Sequence, residues 1–300
     1  MSGDVALKAV SWAELSREAH QRLGDAREAR WLTEEASGRP APEWHEPATA
    51  LGAARLWEMV ERRRAGEPLQ YVIGHWPFRD LDLLVDRRVL IPRPETEITA
   101  EVALEEAVRA GARRGCPDPW GLPSTYAVAD LGTGSGALAL ALVTELPEAE
   151  VWATDADADA LHVAGANLVG VGQAATRVRL AQGLWYEALP QALRERLVVI
   201  VANPPYVAEA EHAALPAEVR DHEPRSALVP GPRGTEALEH LLDGAPRWLA
   251  PGGALVLEMA PHHAAALTQR AQEIGYRQVE VRPDLTGRDR VLVARWPEGE

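Results

Sequence analysis

The chain has 300 residues, 46% of them hydrophobic, and a net charge of −14, which is enough to bury a substantial core and more than one small domain usually uses. Its acidity counts against a protein that grips nucleic acid through phosphates, because such proteins gather Lys and Arg on the contact face, and it favours a basic protein partner. The one cysteine, Cys116, excludes an internal disulfide and a cysteine metal cluster, Met1 to Val10 lack a basic start followed by an apolar stretch, and no apolar run approaches the ~20 residues of a membrane span, so a reducing, cytoplasmic setting is expected.

Ser11-Trp12-Ala13-Glu14 has capping-box spacing, and Trp12, Leu15, Ala19 and Leu23 recur at helical intervals, so a helix is predicted to about Leu23. A second is predicted near Ala26 to Ala36. Gly38 to Pro47 contains three prolines and reads as a linker. A third helix, marked by Leu51, Leu56, Met59 and Val60, follows it and ends around Gly66. These make a small helical domain over residues 1–68. Trp12, Trp31 and Trp57 are expected in its core, and Arg62-Arg63-Arg64 reads as a solvated helix face.

From Leu69 to Leu90 the pattern turns strand-like, in Tyr71-Val72-Ile73-Gly74, Phe78-Arg79-Asp80-Leu81 and Leu83-Leu84-Val85, which predicts a β-hairpin linker over 69–93. Ile91-Pro92-Arg93-Pro94-Glu95-Thr96-Glu97 sets two prolines around one arginine. That is a rigid loop holding Arg93 in a fixed direction, or simply good punctuation for the helix predicted from Glu95 to Ala112.

Strands and helices alternate from Tyr126 onward. Strands are predicted near 126–131, 151–155, 177–181, 197–202, 253–259, 277–282 and 290–296, and helices near 137–146, 157–169, 234–249 and 262–274. This is the pattern of an α/β domain, residues 94–300, with a mostly parallel sheet covered on both faces. Ligands in such sheets lie beyond the carboxyl ends of the strands. Asp130, Asp155 and Asn203 all fall at such ends.

Asp130-Leu131-Gly132-Thr133-Gly134-Ser135-Gly136 is a glycine turn between a strand and an apolar helix, and Asp155 closes the next strand, placed to hydrogen-bond ribose hydroxyls. Gly132, Gly134 and Ala137 also satisfy a dinucleotide fingerprint, so these residues speak equally for NAD and for S-adenosylmethionine. Asn203-Pro204-Pro205-Tyr206 follows the apolar run Leu197 to Ala202. By itself it could be a Pro-Pro turn with Asn as a local cap. Together with the glycine turn it suggests methylation of a planar nitrogen. Such a nitrogen has its lone pair in a π-system and is a poor nucleophile until acceptors hold its N–H groups. Asn203 offers a side-chain carbonyl, the prolines stiffen backbone acceptors, and Tyr206 gives a flat face. No metal-ligand set is evident, and His75, His262 and His263 read as surface or packing residues.

Taken together, Tyr71 to Gly74, Leu90 to Glu97, the glycine turn, Ala153-Thr154-Asp155, Asn167, Gly183-Leu184-Trp185-Tyr186, Asn203 to Tyr206, Glu223-Pro224-Arg225-Ser226-Ala227-Leu228 and Asp284 to Arg290 resemble the peptide chain release factor glutamine N5-methyltransferases of the HemK/PrmC type. The resemblance implies a class I S-adenosylmethionine-dependent, Rossmann-like fold with a seven-stranded, mostly parallel sheet whose final strand is antiparallel, behind a helical module that engages the substrate. It implies methyl transfer from S-adenosyl-L-methionine to the glutamine of the Gly-Gly-Gln tripeptide in release factors. Asn203, Pro204, Pro205 and Tyr206 would be catalytic. Asp130, Gly132, Thr133, Gly134, Ser135, Gly136, Asp155, Trp185 and Asn203 would bind the cofactor, Trp185 on the adenine side. No membrane and no sequence-specific nucleic acid are expected as partners. The chain departs from the family pattern at Glu258-Met259-Ala260, at His263 and at Gly231 to Thr235. The rival readings are glutamine methylation of a large-subunit ribosomal protein, adenine-N6 methylation of nucleic acid, and a nucleotide-binding module or NAD-dependent dehydrogenase.

Overall fold

The computed structural model describes residues 10–111 and 126–299, so Cys116, residues 1–9 and the expected helix end at Ala112 lie outside the described residues. The chain divides into two compact units, one running to Gly74 and taking in Ala217–His222, the other formed by His75–Pro216 and the chain from Glu223 onward. Among the described residues no helix is long and apolar enough to cross a membrane.

In the first unit, α1 (Trp12–Leu23) opens on a closed capping box, in which Glu14 N–H donates to Ser11 Oγ at 3.3 Å and Ser11 N–H donates to the Glu14 carboxylate at 2.9 Å. These bonds satisfy donors that a helix start leaves unpaired. Asp25 caps α2 (Ala26–Ser37) by accepting Arg27 and Glu28 N–H, and Thr49 caps α3 (Ala50–Arg64) by accepting Gly52 N–H. Gly52 lets α3 cross close over Trp12: a Cβ there would lie 2.7 Å from the Trp12 ring.

The tryptophans divide differently from the expectation. Trp12 is buried, but Trp31 is 37% exposed and Trp57 is half-buried under the Arg22 guanidinium, 4.2 Å from its ring centroid. Trp31 sits roughly a quarter turn from Leu32, whose face α2 buries, and so points outward. Trp44 is the additional buried tryptophan of this unit. The arginine run is not a free solvated face either. Arg62 pairs with Glu67, Arg63 with Glu28 and Glu218, and Arg64 with Glu61.

The segment Tyr71 to Gly74 is helical, not a strand. α4 (Leu69–Ile73) is a short helix that buries Leu69, Tyr71 and Val72 and ends at Gly74, where φ is 93°. Its final carbonyls are met from outside, since Arg62 donates to Tyr71 O at 2.9 Å and to Val72 O at 3.4 Å. A β-branched, aromatic tetrapeptide favours a strand locally, but a packed apolar face and a capping guanidinium outweigh that preference.

In the second unit the hairpin is β1 (His75–Phe78) and β2 (Leu81–Leu84), antiparallel. Arg79 and Asp80 make its turn rather than continue a strand, and Arg79 takes φ 52°. Helix α5 (Pro94–Gly111) follows the Pro-Arg-Pro loop, and then β3 (Tyr126–Leu131), α6 (Ala137–Glu145), β4 (Ala149–Asp155), α7 (Ala158–Leu168), β5 (Val178–Gln182) and β6 (Leu197–Ala202) alternate. After α8 (Ala217–His222), which belongs to the first unit, come α9 (Glu236–Gly244), β7 (Leu249–Glu258), α10 (Ala264–Ile274), β8 (Gln278–Pro283) and β9 (Asp289–Arg295). Helix α9 stops earlier than expected because Pro246, inside the next short turn, has no N–H to continue the ladder.

The seven strands run in the order β5-β4-β3-β6-β7-β9-β8, and β9, the final strand, runs antiparallel to the rest. This is the class I methyltransferase arrangement expected from the sequence. Every residue of β6 is buried, as a central strand covered on both faces must be. Val199 and Val201 pack into one apolar cluster with α5 and α6, while Ile200 and Ala202 pack into the other with α9 and α10. Strand order reverses between β3 and β6, which pair directly. The carboxyl ends of these two strands therefore flank a topological switch point, the place where open α/β sheets bind ligands.

Candidate active site

A cavity of about 260 Å³ opens at this switch point. Gly132, Thr133, Gly134 and Ser135 line it from the turn after β3, Asp155 from the end of β4, Trp185 from the loop after β5, and Asn203 and Pro205 from the loop after β6. The loop before α5 adds Pro92, the first turn of α5 adds Thr96, and a later loop adds Pro224, Ser226 and Ala227. Four of the residues expected at the site are not in its lining: Asp130 and Gly136, which brace the turn after β3, and Pro204 and Tyr206, which belong to the loop whose Asn203 and Pro205 do line it.

The turn after β3 is shaped by positive φ at Gly132 (78°), Gly134 (55°) and Gly136 (87°), values L side chains rarely adopt. A Cβ on Gly132 would come within 3.1 Å of the Trp185 ring, so a side chain there would narrow the slot between turn and indole. Trp185 itself has φ 51°, a strained position for a bulky residue and one that structures retain where something else requires it.

Asp130 braces the turn from inside. It is fully buried, and its Oδ2 accepts the Thr133 hydroxyl at 2.6 Å and Ala139 N–H at 3.0 Å, while Oδ1 has no partner. Burial pushes its pKa up to about 7 against the pull of those two hydrogen bonds. Gly136 is the N-cap of α6 and offers no side chain, so Asp130 supplies that helix start with its carboxylate.

Asp155 faces the cavity with both oxygens partly engaged. Gly134 N–H donates to Oδ2 at 2.9 Å and Asp157 N–H to Oδ1 at 3.0 Å. Each oxygen of an ionised carboxylate has a second lone pair, so the group can still accept two further donors. Burial raises its pKa, and the backbone hydrogen bonds work in the other direction. Asn167 joins the turn to the hairpin: its amide donates to Ser135 O at 2.8 Å and to Leu84 O at 3.0 Å, and its carbonyl accepts Leu84 N–H at 2.7 Å.

Asn203 is the most informative side chain. Its Nδ2 donates to the Thr96 hydroxyl at 3.1 Å, whereas its Oδ1 is buried without a hydrogen-bond partner. An orphan acceptor on a residue that lines a ligand-sized cavity is costly unless something else satisfies it. Tyr206, at the far end of the same tetrapeptide, directs its hydroxyl toward Glu258 at 3.4 Å, and its backbone carbonyl accepts from His263 Nε2 at 3.1 Å. Burial and the nearby Glu258 raise the Tyr206 pKa, which keeps the phenol neutral. His263 is buried, a packing residue that must carry its proton on Nε2 to make this bond.

Arg93 is held as its loop suggests. It pairs with the carboxylate of Glu223, which also receives Ile91 N–H at 3.4 Å. This ties the Pro-Arg-Pro loop to the Glu223-Pro224-Arg225 segment, whose Pro224 lines the cavity.

Two residues escape a reading of the sequence, Thr96 and Glu258. Both are buried. Glu258 receives the Thr99 hydroxyl at 3.1 Å, and the hydroxyls of Thr96 and Thr99 both favour its ionised form while burial raises its pKa. Thr96 looks like helix punctuation in Pro-Glu-Thr-Glu. Two threonines three positions apart on the first turns of a helix, with a carboxylate ending an apolar strand, are the signal that could have found them.

Comparison with known proteins agrees with this architecture. Residues 121–221 match the Methyltransferase small domain family and residues 8–74 match the PrmC N-terminal domain family. A release factor glutamine methyltransferase of Moorella thermoacetica is 44% identical over 250 residues, covering 83% of this chain and 82% of that protein. One of Xylella fastidiosa is 42% identical over 251 residues, covering 84% of each. Among solved structures, the hMettl16 catalytic domain in complex with MAT2A 3'UTR hairpin 6 superposes with a TM-score of 0.52 at 14% identity, covering 83% of this chain and 82% of that one, a likeness of fold. With the sheet order, the glycine turn and these relatives in agreement, the chain belongs to the family of release factor glutamine methyltransferases.

Proposed function

We propose that this protein transfers the methyl group of S-adenosylmethionine to the side-chain amide nitrogen, N5, of the glutamine in the Gly-Gly-Gln tripeptide of peptide chain release factors. The observation that carries the reading is the buried, unpartnered Oδ1 of Asn203, a residue that lines the cavity. A carboxamide substrate brings two N–H donors, and Asn203 has the free acceptor such a group needs.

The residues present fit the cofactor. The turn over Gly132 to Ser135 leaves a slot beside Trp185 that a Cβ on Gly132 would invade, and Asp155 keeps a lone pair on each oxygen for the two hydroxyls of a ribose. S-adenosylmethionine supplies an electrophilic methyl on a sulfonium. The remaining work is positional. Asn203 Oδ1 accepts one amide N–H and the Pro204 carbonyl the other, which orients the nitrogen and draws its lone pair out of the π-system. Pro204 and Pro205 restrict the loop so that these acceptors are fixed in advance. Tyr206 packs beside the amide as a neutral phenol. Alignment of this kind accounts for ~7–11 kcal/mol of a barrier. The protonated product amide is acidic enough to release its proton to water or a neighbouring acceptor, so no dedicated base is required.

The test is Asn203→Ala. Methyl transfer to a release factor should be lost while affinity for S-adenosylmethionine, measured by calorimetry, falls only a few-fold, because Gly132 to Ser135, Asp155 and Trp185 still line the cofactor's side of the cavity. Loss of both together would remove Asn203 from the role assigned here.

A further inference from the structure

Resting on that reading, we infer that His263 is a positioning residue for the reaction: its imidazole Nε2–H holds the backbone carbonyl of Tyr206, and with it the end of the Asn203-Pro204-Pro205-Tyr206 loop. The need for such a hold follows from the sequence. Pro204 and Pro205 have no N–H, so the middle of the tetrapeptide cannot donate to a neighbouring backbone and has to be fixed through its carbonyls or its side chains. Among the described residues, the side-chain donor to a carbonyl of this loop is His263, at 3.1 Å from Tyr206 O. A carbonyl only accepts, so the ring must carry a proton on Nε2.

The fold places His263 for this work. It ends the short turn Pro261–His263 and is the N-cap position of α10, whose Ala264, Leu267 and Ala271 are buried in the apolar cluster against which Tyr206 packs. His263 is 5% exposed, so the hold comes from a side chain locked by packing on a rigid element. A second contact falls on the same carbonyl. Gly234 has φ 77°, and a Cβ on it would lie 2.9 Å from Tyr206 O and 2.8 Å from Ala208 N, both backbone atoms. Beyond Tyr206 the chain is tied by its own backbone, since Val207 N–H donates to Leu228 O at 3.0 Å and Glu209 N–H to Gly231 O at 3.1 Å. The tetrapeptide itself is held from outside: at its first residue by the Asn203 amide on the Thr96 hydroxyl, at 3.1 Å, and at its last by His263, with the Tyr206 hydroxyl 3.4 Å from Glu258. His263 is not in the cavity lining and acts on the reaction only through Tyr206.

His263→Leu tests the assignment, because it keeps the buried site filled and removes the donor. kcat for release-factor methylation should fall about ten- to a hundredfold, the cost of displacing an aligned group by about 1 Å. KM for the release factor and affinity for S-adenosylmethionine should stay within about threefold of wild type. His263→Gln, whose amide nitrogen can make the same donation, should recover most of kcat, a recovery that simple space-filling does not predict. Gly234→Ala, which crowds the same carbonyl, should lower kcat in the same way. His262→Ala removes the exposed neighbour, whose ring centroid lies 4.0 Å from that of His263, and should match the wild type. Two readouts do not use turnover. The wild-type imidazole should be the Nε2–H tautomer by nitrogen NMR, and the Tyr206 carbonyl-carbon resonance should move in His263→Leu and return toward its wild-type position in His263→Gln. An Nδ1–H tautomer would overturn the inference without recourse to any variant. So would an unmoved carbonyl resonance, a kcat in His263→Leu within about twofold of wild type, or failure of His263→Gln to recover activity. A wild-type protein that binds S-adenosylmethionine but does not methylate a release factor would instead refute the functional reading, and the tautomer and the carbonyl resonance would then decide whether His263 holds the loop.

Discussion

Asp155→Ala should weaken binding of S-adenosylmethionine by roughly 30- to 150-fold, and the structure sets that range. A hydrogen bond to a charged group contributes ~1.5–3 kcal/mol, so two ribose hydroxyls on the two open lone pairs set a ceiling of about 3–6 kcal/mol. Two effects reduce it. Gly134 N–H and Asp157 N–H lose their acceptor but can be met by water in an open cavity, and alanine removes a carboxylate whose burial is itself unfavourable. About 2–3 kcal/mol remains, which at ~1.4 kcal/mol per decade gives the stated factor. Asp155→Asn is the sharper control. Each oxygen of Asp155 already accepts a backbone N–H, so whichever one is replaced by NH₂ sets donor against donor. The asparagine variant should thus bind nearly as poorly as alanine despite its matching shape. Isothermal titration of both variants decides the matter: affinity within about threefold of wild type for either one would refute the two-acceptor argument.

Asp130 gives a stability prediction with a definite sign. Its folded pKa is raised from 3.8 to about 7, so the folded state holds the proton more tightly than the unfolded state, and the stability this provides at low pH is lost as pH rises through that window. Asp130→Asn should match the wild type near pH 4 and become increasingly more stable than it by pH 8, with a ceiling of ~4 kcal/mol from about three pKa units; parallel melting curves across pH would contradict this. S-adenosylmethionine at ~100 times its Kd should stabilise the protein by ~2.7 kcal/mol in a thermal shift and NADH should not, whereas stabilisation by NADH alone would revive the dehydrogenase reading.

Much of the second unit can be read from the sequence because its strands are short apolar runs with turn signals at both ends. Leu197 to Ala202 is apolar throughout since both of its faces are covered, and Tyr126 to Leu131 is bounded by the glycine turn. Local patterns were less informative where distant side chains decide the outcome. Tyr71 to Gly74 is rich in strand-forming residues, yet Arg62, nine positions earlier than Tyr71, caps it as a helix. Trp31 and Trp57 have apolar rings that lie outside the buried face, which hydropathy by itself does not foresee. The site divides in the same way. Gly132, Asp155 and Asn203 are legible because each ends a strand, whereas Asp130 looks like a ligand-facing residue and is a brace behind the turn. Thr99 and Glu258 are 159 residues apart, and only the fold brings them into a hydrogen bond.

The central claim is that a glutamine carboxamide is oriented at the end of β6 for methyl transfer. Incubating the protein with methyl-labelled S-adenosylmethionine and a release factor, beside a release factor whose tripeptide glutamine is replaced, tests it most directly. Label on the glutamine nitrogen of the first protein and none on the second is the predicted result. Equal labelling of both, or none on either while the cofactor binds, would contradict the account.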